Sequence, residues 1–218
     1  MNSFGLTIAV PRGALLTASL DALDRAGIDT SEIRSNDRRL LFADIGVVTM
    51  RPSDVPTYVE AGAADIGITG KDVLMESPER AIFELADLNF GGCQIVVASE
   101  AGPDKAAEAL ARLGVMRIAT KYPRIAAAYF EETGRQAEIV TVKGSVELAP
   151  LTGLADAIVD LTATGMTLKE NGLVVREQIA PVTARLVANR VAYRLKAGAI
   201  DELTAQLAAG ADPQAAKA

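Results

Sequence analysis

The stretch DAIVDLTATGMTL, residues 156–168, begins as an apolar run and ends in threonines around one glycine. Its first part, AIVDL (157–161), has the length and β-branched content of a buried strand, and the residues after Gly165 are compatible with the start of a helix. A strand that passes through a glycine turn into a helix is the repeating unit of parallel α/β sheets. This stretch therefore favours an α/β fold.

The same alternation of strands and helices runs through the rest of the chain. Apolar runs typical of buried strands are LTIAV (6–10), RRLLF (38–42), GVVTM (46–50), ADIGITG (64–70), CQIVVA (93–98), RIAT (117–120) and AEIVTV (137–142). Helical patterns lie between most of them, and the segment from Thr183 to Ala209 is predicted to form two helices. Such alternation indicates mostly parallel sheets that are covered on both faces.

The number of strands is high for one sheet, which predicts two α/β lobes. The first lobe is expected to comprise residues 1–92 and 178–218, and the second lobe residues 93–177. Ligands in such folds bind at the carboxyl ends of the strands. We therefore expect the polar turns at those ends to line a central cleft.

Composition excludes several classes of function. One cysteine and no histidine leave no soft-metal site and no histidine base, so a bound metal would have oxygen ligands, as Mg²⁺ does. A net charge of −6 argues against binding to nucleic acid. The sequence has no run that could span a membrane and no signal-peptide pattern, so we expect a cytoplasmic protein.

The turn after AIVDL has the composition of a phosphate site. Backbone N–H groups and hydroxyls would meet there in one concavity, provided by Thr162, Ala163, Thr164, Gly165, Met166 and Thr167. Asp156 and Asp160 are four apart, so in a strand they share one face, where they would accept from sugar hydroxyls or bind Mg²⁺. The alternative is an ordinary helix start with the two acids on a solvated edge.

Cationic side chains follow several of the other strands. Arginine offers a rigid fork for phosphate oxygens, and Arg12 and Arg51 come directly after strands. Further candidates are Arg38, Arg39, Lys71 beside Asp72, and Lys121 beside Tyr122. The alternative for each is a surface cation paired with one of the 28 acids, and Arg39 especially is compatible with a solvated strand residue.

Taken together, the turns resemble one enzyme family. VPRG, RPSDVPTYVEAGAADIGITGKD, ATKYP, GSVELAP and GLADAIVDLTATGMTLKENGLV stand here in the order typical of ATP phosphoribosyltransferases. The resemblance runs from Leu6 to Val191. The chain is similar to the short form of the family, which lacks a regulatory C-terminal domain and works with a regulatory subunit similar to histidyl-tRNA synthetase.

The resemblance implies a reaction and a fold. In the family, N1 of ATP displaces pyrophosphate from C1 of phosphoribosyl pyrophosphate with Mg²⁺, which is the first step of histidine biosynthesis. The enzyme would be a pentosyltransferase with a two-lobed fold like that of type II periplasmic binding proteins. It would form a homodimer and a hetero-oligomer with the regulatory subunit.

The resemblance also implies roles for particular residues. Thr162–Thr167 would hold the 5-phosphate of the donor, Asp156 and Asp160 its ribose, and Glu147 would lie near the ribose or, with Asp160, near Mg²⁺. The ATP and pyrophosphate side would comprise Arg12, Gly13, Arg38, Arg51, Lys71 and Asp72. The residues expected to act in catalysis are Arg12, Arg51, Glu147 and Asp160.

The chain departs from the family pattern at three positions. Ala14 stands where a second cation is usual, and Gly92 and Gln94 stand where basic residues are frequent. These differences bear on the ATP contacts more than on the donor site. The alternative function is a non-enzymatic two-lobed protein that binds or senses a small anion.

Overall fold

We describe the protein from a computed structural model, in which residues 2–36 and 38–209 are described. The chain divides into two units. Of the described residues, one unit comprises 2–36, 38–92 and 183–209, and the other comprises Cys93–Val182. Residues 210–218, which the sequence assigned to the first lobe, lie outside the described residues.

The strands alternate with helices, as the sequence pattern indicates. The strands are β1 (Ile8–Pro11), β2 (Leu41–Phe42), β3 (Val47–Met50), β4 (Ile66–Gly70), β5 (Ile82–Asp87), β6 (Cys93–Glu100), β7 (Met116–Thr120), β8 (Ala137–Thr141), β9 (Ala157–Thr162), β10 (Leu173–Val182) and β11 (Ala184–Asn189). The helices are α1 (Leu16–Arg25), α2 (Ser31–Ser35), α3 (Val55–Glu60), α4 (Lys71–Glu76), α5 (Lys105–Leu113), α6 (Pro123–Glu132), α7 (Leu148–Leu151), α8 (Met166–Glu170) and α9 (Arg190–Ala209).

The first unit is built on a six-stranded sheet with the order β2-β3-β1-β4-β11-β5. One face packs against α1 and α9, where Leu20, Leu23 and Leu203 are buried. The other face packs against α3 through Val55 and Val59. Because both faces are covered, the central strand β1 is apolar along its whole length, IAVP.

The second unit is built on a five-stranded sheet with the order β10-β6-β9-β7-β8. The helices α5 and α6 cover one face, on which Ile118, Phe130 and Val159 are buried. The other face carries α7 and α8 with Ile158 and Leu168. The strand β10 pairs with β6 as far as Val182, so the expected lobe boundary at 177/178 falls inside this strand.

The two-unit α/β architecture is confirmed, but the expectation of mostly parallel sheets is wrong. Among the described residues, four strand pairings are parallel and five are antiparallel. The parallel pairs join β1 to β3 and β4, and β7 to β8 and β9. The strands β6 and β11 each begin where the chain enters a unit, so each starts at the edge where its neighbours end and runs antiparallel to them.

The expected pair of helices from Thr183 to Ala209 is also wrong in its first part. Residues 184–189 form β11, which pairs with β4 and β5 in the interior of the first sheet. One helix follows, and its backbone is non-helical at Lys196. Leu186 and Val187 are completely buried on opposite faces, so this strand carries no polar alternation that would distinguish it from a buried helix.

A close contact between α3 and β4 depends on the absence of a side chain at Gly67. A Cβ atom at this position would lie 2.6 Å from Val55 Cγ1 and 2.9 Å from Val59 Cγ2. We expect Gly67→Ala to lower the free energy of unfolding by about 1–3 kcal/mol through overpacking. The matched control is Gly198→Ala in α9, where a Cβ would meet nothing within 4 Å. Because alanine favours the helix, this control should raise stability by about 0.5 kcal/mol in urea unfolding. Equal effects of the two substitutions would contradict the packing argument.

Hydrogen bonds to Glu177 connect α6 and the turn that follows it to β10, the edge strand of the second unit. Arg135 donates two hydrogen bonds to Glu177, at 2.6 and 2.8 Å, and the Tyr129 hydroxyl donates a third at 2.5 Å. The hydrogen bonds from Arg135 hold the pKa of the Glu177 carboxyl below its ordinary value. Burial and the bond to Glu177 raise the pKa of Tyr129. The ionised carboxylate therefore stabilises the fold.

A lowered carboxyl pKa adds stability above the pKa of the unfolded chain, and this stability is lost as the pH falls through the folded pKa. We expect Glu177→Gln to lower the free energy of unfolding by roughly 1 kcal/mol at neutral pH and by progressively less below about pH 4. The measurement is urea unfolding of both proteins across this range. Glu138→Gln, at an exposed β8 position, is the control and should show no such trend. If the unfolding free energies of Glu177→Gln and the unmodified protein differ by the same amount at every pH, the ionised Glu177 carboxylate does not stabilise the fold.

Candidate active site

The second unit gathers polar turns at one edge of its sheet. Because β7, β8 and β9 are parallel neighbours, they all end at this edge. They are followed by Lys121, by the loop that leads to Glu147, and by the turn that begins after Thr162. Gln94 lies there as well, opposite Thr162 in the β6–β9 register. Residues separated by up to about seventy positions in the sequence therefore converge on one edge.

The turn between β9 and α8 is closed by its own hydroxyls. The Gly165 amide donates to Thr162 Oγ1 at 2.9 Å, and the Met166 amide donates to Thr164 Oγ1 at 3.4 Å. Gly165 has a φ of 75°, a left-handed conformation that glycine adopts without strain. Each hydroxyl accepts a hydrogen bond from the turn, and each keeps its own proton for donation to a ligand. Ala163, Thr164 and Thr167 are exposed around these groups.

The helix α8 is only five residues long, so its dipole adds little to this site. The capacity of the turn to bind an anion therefore rests on N–H and O–H donors.

Asp160 lies just before this turn and is largely buried, with 8% of its surface exposed. Its Oδ1 atom accepts a hydrogen bond from the Leu161 amide at 2.8 Å and lies 3.1 Å from Lys121 Nζ. Lys121 was only a weak candidate in the sequence, because a lone lysine after a strand is common. Only the parallel pairing of β7 with β9 brings it to Asp160.

Asp156, the other acid of the stretch, lies elsewhere. It precedes β9, at the opposite end of the strand from the turn, and four residues of extended chain span roughly 13 Å. Its Oδ2 atom accepts a hydrogen bond from the Arg117 amide at 2.7 Å, and the Arg117 guanidinium lies 3.9 Å from Oδ1. The structure does not bring Asp156 together with Thr162–Thr167, so we leave it out of the candidate site.

Glu147 stands at the N-cap position of α7, after β8. It is half-buried, and its carboxylate has no hydrogen-bond or ion-pair partner among residues 2–36 and 38–209. Two residues earlier, Ser145 has a φ of 48°, which is uncommon for a residue other than glycine. Such a conformation in a loop at the polar edge is consistent with a functional constraint on the position of Glu147.

The first unit presents a corresponding edge. The parallel strands β3, β1 and β4 end there, followed by Arg51, Arg12 and Lys71. The Arg12 amide donates to the Met50 carbonyl at 2.7 Å, and the buried Thr69 hydroxyl donates to the Pro52 carbonyl at 2.9 Å. These hydrogen bonds fix the turns that carry Arg12 and Arg51.

The remaining predicted residues of the first unit lie close to these turns. Gly13, with a φ of 79°, and Ala14 belong to the short 3₁₀ helix that follows Arg12. Asp72 lies in the first turn of α4, and Gly92 is the last residue before β6.

Ion pairs separate the cations of the first unit into two groups. Arg39 forms an ion pair with Glu32, donates to the Leu41 carbonyl at 2.8 Å and stacks on the Phe42 ring. Lys71 Nζ lies 2.7 Å from Glu84 Oε2. Arg38 and Arg51 are exposed, and within the described part of the chain neither is paired with a carboxylate. Arg38 and Arg51 are therefore the cations best able to take up an anionic ligand.

No group of three or more metal-ligating side chains occurs among the described residues. A metal ion would therefore need ligand atoms from a bound substrate in addition to one or two carboxylates, which is how Mg²⁺ is often held in phosphate sites. In the same part of the chain, no helix is long and apolar enough to cross a membrane.

Comparison with known proteins gives consistent matches over nearly the whole chain. The family model described as ATP phosphoribosyltransferase matches residues 51–209. A protein of Rubrobacter xylanophilus named ATP phosphoribosyltransferase is 52% identical, covering 93% of this chain and 95% of its own. A protein of the same name from Bacillus subtilis is 43% identical, covering 97% of this chain and 98% of its own.

Solved structures agree with these matches. The ATP phosphoribosyl transferase (HisG:HisZ) complex from Thermotoga maritima contains a chain that is 35% identical, with a TM-score of 0.76 and coverage of 93% of this chain and 95% of that one. The periplasmic VFT2 domain of Bordetella pertussis BvgS superposes with a TM-score of 0.62 at 16% identity, covering 97% of this chain and 89% of that one. The second similarity concerns the fold alone.

The difference in ion pairing predicts different effects of arginine substitutions. Arg51→Ala should weaken the binding of inorganic pyrophosphate about tenfold, because it removes an exposed guanidinium that no carboxylate in the described part of the chain pairs with. Arg39→Ala should change binding less than twofold and should lower the thermal midpoint instead, because Arg39 is held by Glu32 and Phe42. Isothermal titration and thermal unfolding of both variants provide the measurements. Weaker binding in the Arg39 variant than in the Arg51 variant would reverse the assignment.

Proposed function

Because the chain belongs to the ATP phosphoribosyltransferase family, we propose a role in that reaction for each of the two polar edges. The protein transfers the phosphoribosyl group of 5-phosphoribosyl 1-pyrophosphate to N1 of ATP. The products are N1-(5-phospho-β-D-ribosyl)-ATP and pyrophosphate, and the reaction is the first step of histidine biosynthesis. It is a pentosyltransferase reaction.

The edge of the second unit is proposed to bind the sugar donor. The observation that carries this proposal is the buried carboxylate of Asp160 directly beside a turn rich in hydrogen-bond donors. The 5-phosphate would accept from the hydroxyls of Thr162 and Thr164 and from amides of the turn. Asp160 would accept from a ribose hydroxyl, because carboxylates are poor partners for phosphate but good acceptors from sugars.

Transfer at C1 develops positive charge on the ribose and negative charge on the departing pyrophosphate. The carboxylates of Asp160 and Glu147 are suited to stabilise the positive charge on the ribose. The guanidinium groups of Arg12, Arg38 and Arg51 are suited to stabilise the negative charge on pyrophosphate and to bind the phosphates of ATP. Lys71 and Asp72, with the backbone at Gly13, would complete the ATP side. No general base is assigned to N1 of adenine, which attacks through its own lone pair.

Mg²⁺ is the proposed metal, and it would neutralise charge on the pyrophosphate group. Glu147 fits a ligand role, because its carboxylate has no partner among the described residues. Asp160 fits this role through Oδ2 alone, since a lysine already lies against its other oxygen. The lack of a larger acidic cluster in the described residues agrees with an ion held largely by substrate oxygens.

The relative from Thermotoga maritima forms a HisG:HisZ complex. We propose that this chain likewise forms a hetero-oligomer with a regulatory subunit similar to histidyl-tRNA synthetase, that the catalytic chain is itself a homodimer, and that the complex acts in the cytoplasm. Co-purification of the two subunits from the native organism would test the assembly. The alternative of a non-enzymatic anion-binding protein shares the fold, but the named relatives at 43–52% identity favour the enzyme.

The activity itself is tested by release of pyrophosphate from ATP and phosphoribosyl pyrophosphate with Mg²⁺. The assay is run with the chain alone and with the regulatory subunit added. We expect release that requires both substrates. If neither preparation releases pyrophosphate, the enzyme function is contradicted.

The two acids of the stretch provide a matched pair for the donor site. Asp160→Asn keeps the shape of the side chain but removes its charge, and we expect kcat/KM for the donor to fall roughly a hundredfold. Thr164→Val removes one hydrogen bond to the 5-phosphate. It should raise the KM for phosphoribosyl pyrophosphate about tenfold. Asp156→Asn should leave both constants within twofold, because Asp156 binds Arg117 instead. Steady-state kinetics with ATP at saturation provide the measurement, and an equal loss in the Asp156 and Asp160 variants would contradict the assignment.

A further inference from the structure

We propose that Lys121 is a positioning residue that orients Asp160 toward the sugar donor. The inference rests on the proposed role of Asp160 as a ligand of the ribose. It adds a second residue to that interaction, from a neighbouring strand. The carboxylate of Asp160 would then be held ready for the substrate by a lysine that need not touch the substrate itself.

The first observation is the unequal use of the two oxygens of Asp160. Both protein donors act on Oδ1: the Leu161 amide at 2.8 Å and Lys121 Nζ at 3.1 Å. Within the described part of the chain, Oδ2 accepts no hydrogen bond. Two donors from different directions fix the rotation of the carboxylate, and the fixed group offers its second oxygen to a hydroxyl.

The second observation is the way in which Lys121 is held. The completely buried Thr120 hydroxyl donates to the Val159 carbonyl at 2.6 Å and accepts from the Tyr122 amide at 2.9 Å. Thr120 also pairs with Val159 in the β7–β9 register. Thr120, which precedes Lys121, is therefore hydrogen-bonded to the residue that precedes Asp160, and Tyr122, which follows Lys121, is hydrogen-bonded to Thr120. This arrangement fixes the backbone from which the lysine side chain reaches Asp160.

The third observation is the contrast in exposure between the two partners. The Asp160 side chain is 11% exposed and that of Lys121 is 40% exposed. A largely buried carboxylate needs a counter-charge, since burying it alone is costly. Lys121 supplies this charge from a side chain that is itself exposed to solvent. Its Nζ also lies 5.2 Å from the centre of the Tyr122 ring, which restricts the side chain further.

A purely structural ion pair would show the same contacts, so the test must separate stability from positioning. The variants are Lys121→Met, which keeps the length and removes the charge, and Lys121→Arg, which keeps the charge. The control is Lys105→Met, which removes another exposed lysine ion pair of the same unit, with Glu100. Thermal midpoints of all variants are measured beside the kinetics.

We expect Lys121→Met to lower kcat about tenfold, with the KM for ATP within twofold, at a temperature at which its unfolding curve shows the variant to be fully folded. Lys121→Arg should recover kcat to within threefold of the unmodified protein. The Lys105 variant should retain the kinetic constants of the unmodified protein. A kcat for Lys121→Met that equals that of the unmodified protein would overturn the proposal.

A double-mutant cycle with Asp160→Asn decides whether Lys121 acts through Asp160. If it does, adding Lys121→Met to the Asp160 variant should change kcat less than threefold. A further tenfold loss would overturn the proposal, because it would mean that Lys121 meets the substrate independently. The failure of the proposed donor site is distinguishable, because in that case Asp160→Asn alone would show unchanged kinetics.

Discussion

Parallel pairing of neighbouring strands is the constraint on which both polar edges depend. In the second unit β7 is paired in parallel with β8 and β9, and in the first unit β1 is paired in parallel with β3 and β4. Parallel neighbours end at the same edge, so the turns that follow them are brought together whatever their separation in sequence. A buried hydroxyl reinforces the pairing in the second unit, since Thr120 donates to the Val159 carbonyl. The alignment of Lys121 with Asp160 therefore follows from the register of two strands.

Ion pairing then decides which of the charged side chains at these edges is available to a ligand. Arg38 and Arg39 are adjacent in sequence, yet among the contacts within residues 2–36 and 38–209 only Arg39 is held by an acid and an aromatic ring. Asp156 and Asp160 belong to one short stretch, yet Asp156 accepts from the Arg117 amide, whereas one oxygen of Asp160 has no donor among the residues that the structure describes. Residue types alone do not separate the members of either pair, because the difference lies in partners that are distant in sequence.

The sequence was sufficient for the α/β class, for the two-unit organisation and for the family. It was insufficient for β11, since Leu186 and Val187 are buried on opposite faces and the strand leads without a turn into α9. Asp156 and Asp160 were expected to share one face because they are four residues apart. That expectation holds only inside a strand, and Asp156 lies before β9 begins. The sequence also predicted too many parallel pairs. The strands β6 and β11 run antiparallel to their neighbours because the chain enters a unit at each of them, and no local sequence pattern marks those points.

A chain without histidine lacks the commonest general base, and charges and dipoles that are already in place when the reaction begins act without one. The turn after β9 illustrates how this is achieved without a long helix or a lysine. The hydroxyls of Thr162 and Thr164 accept from the amides of Gly165 and Met166, which closes the turn and leaves the hydroxyl protons to be donated to a ligand. Donors that are fixed by the fold need little reorganisation when a phosphate arrives, and the same is true of a carboxylate held at one oxygen. In the proposed mechanism, therefore, the hydrogen bonds that close the turn after β9 also place its polar groups where phosphoribosyl pyrophosphate binds.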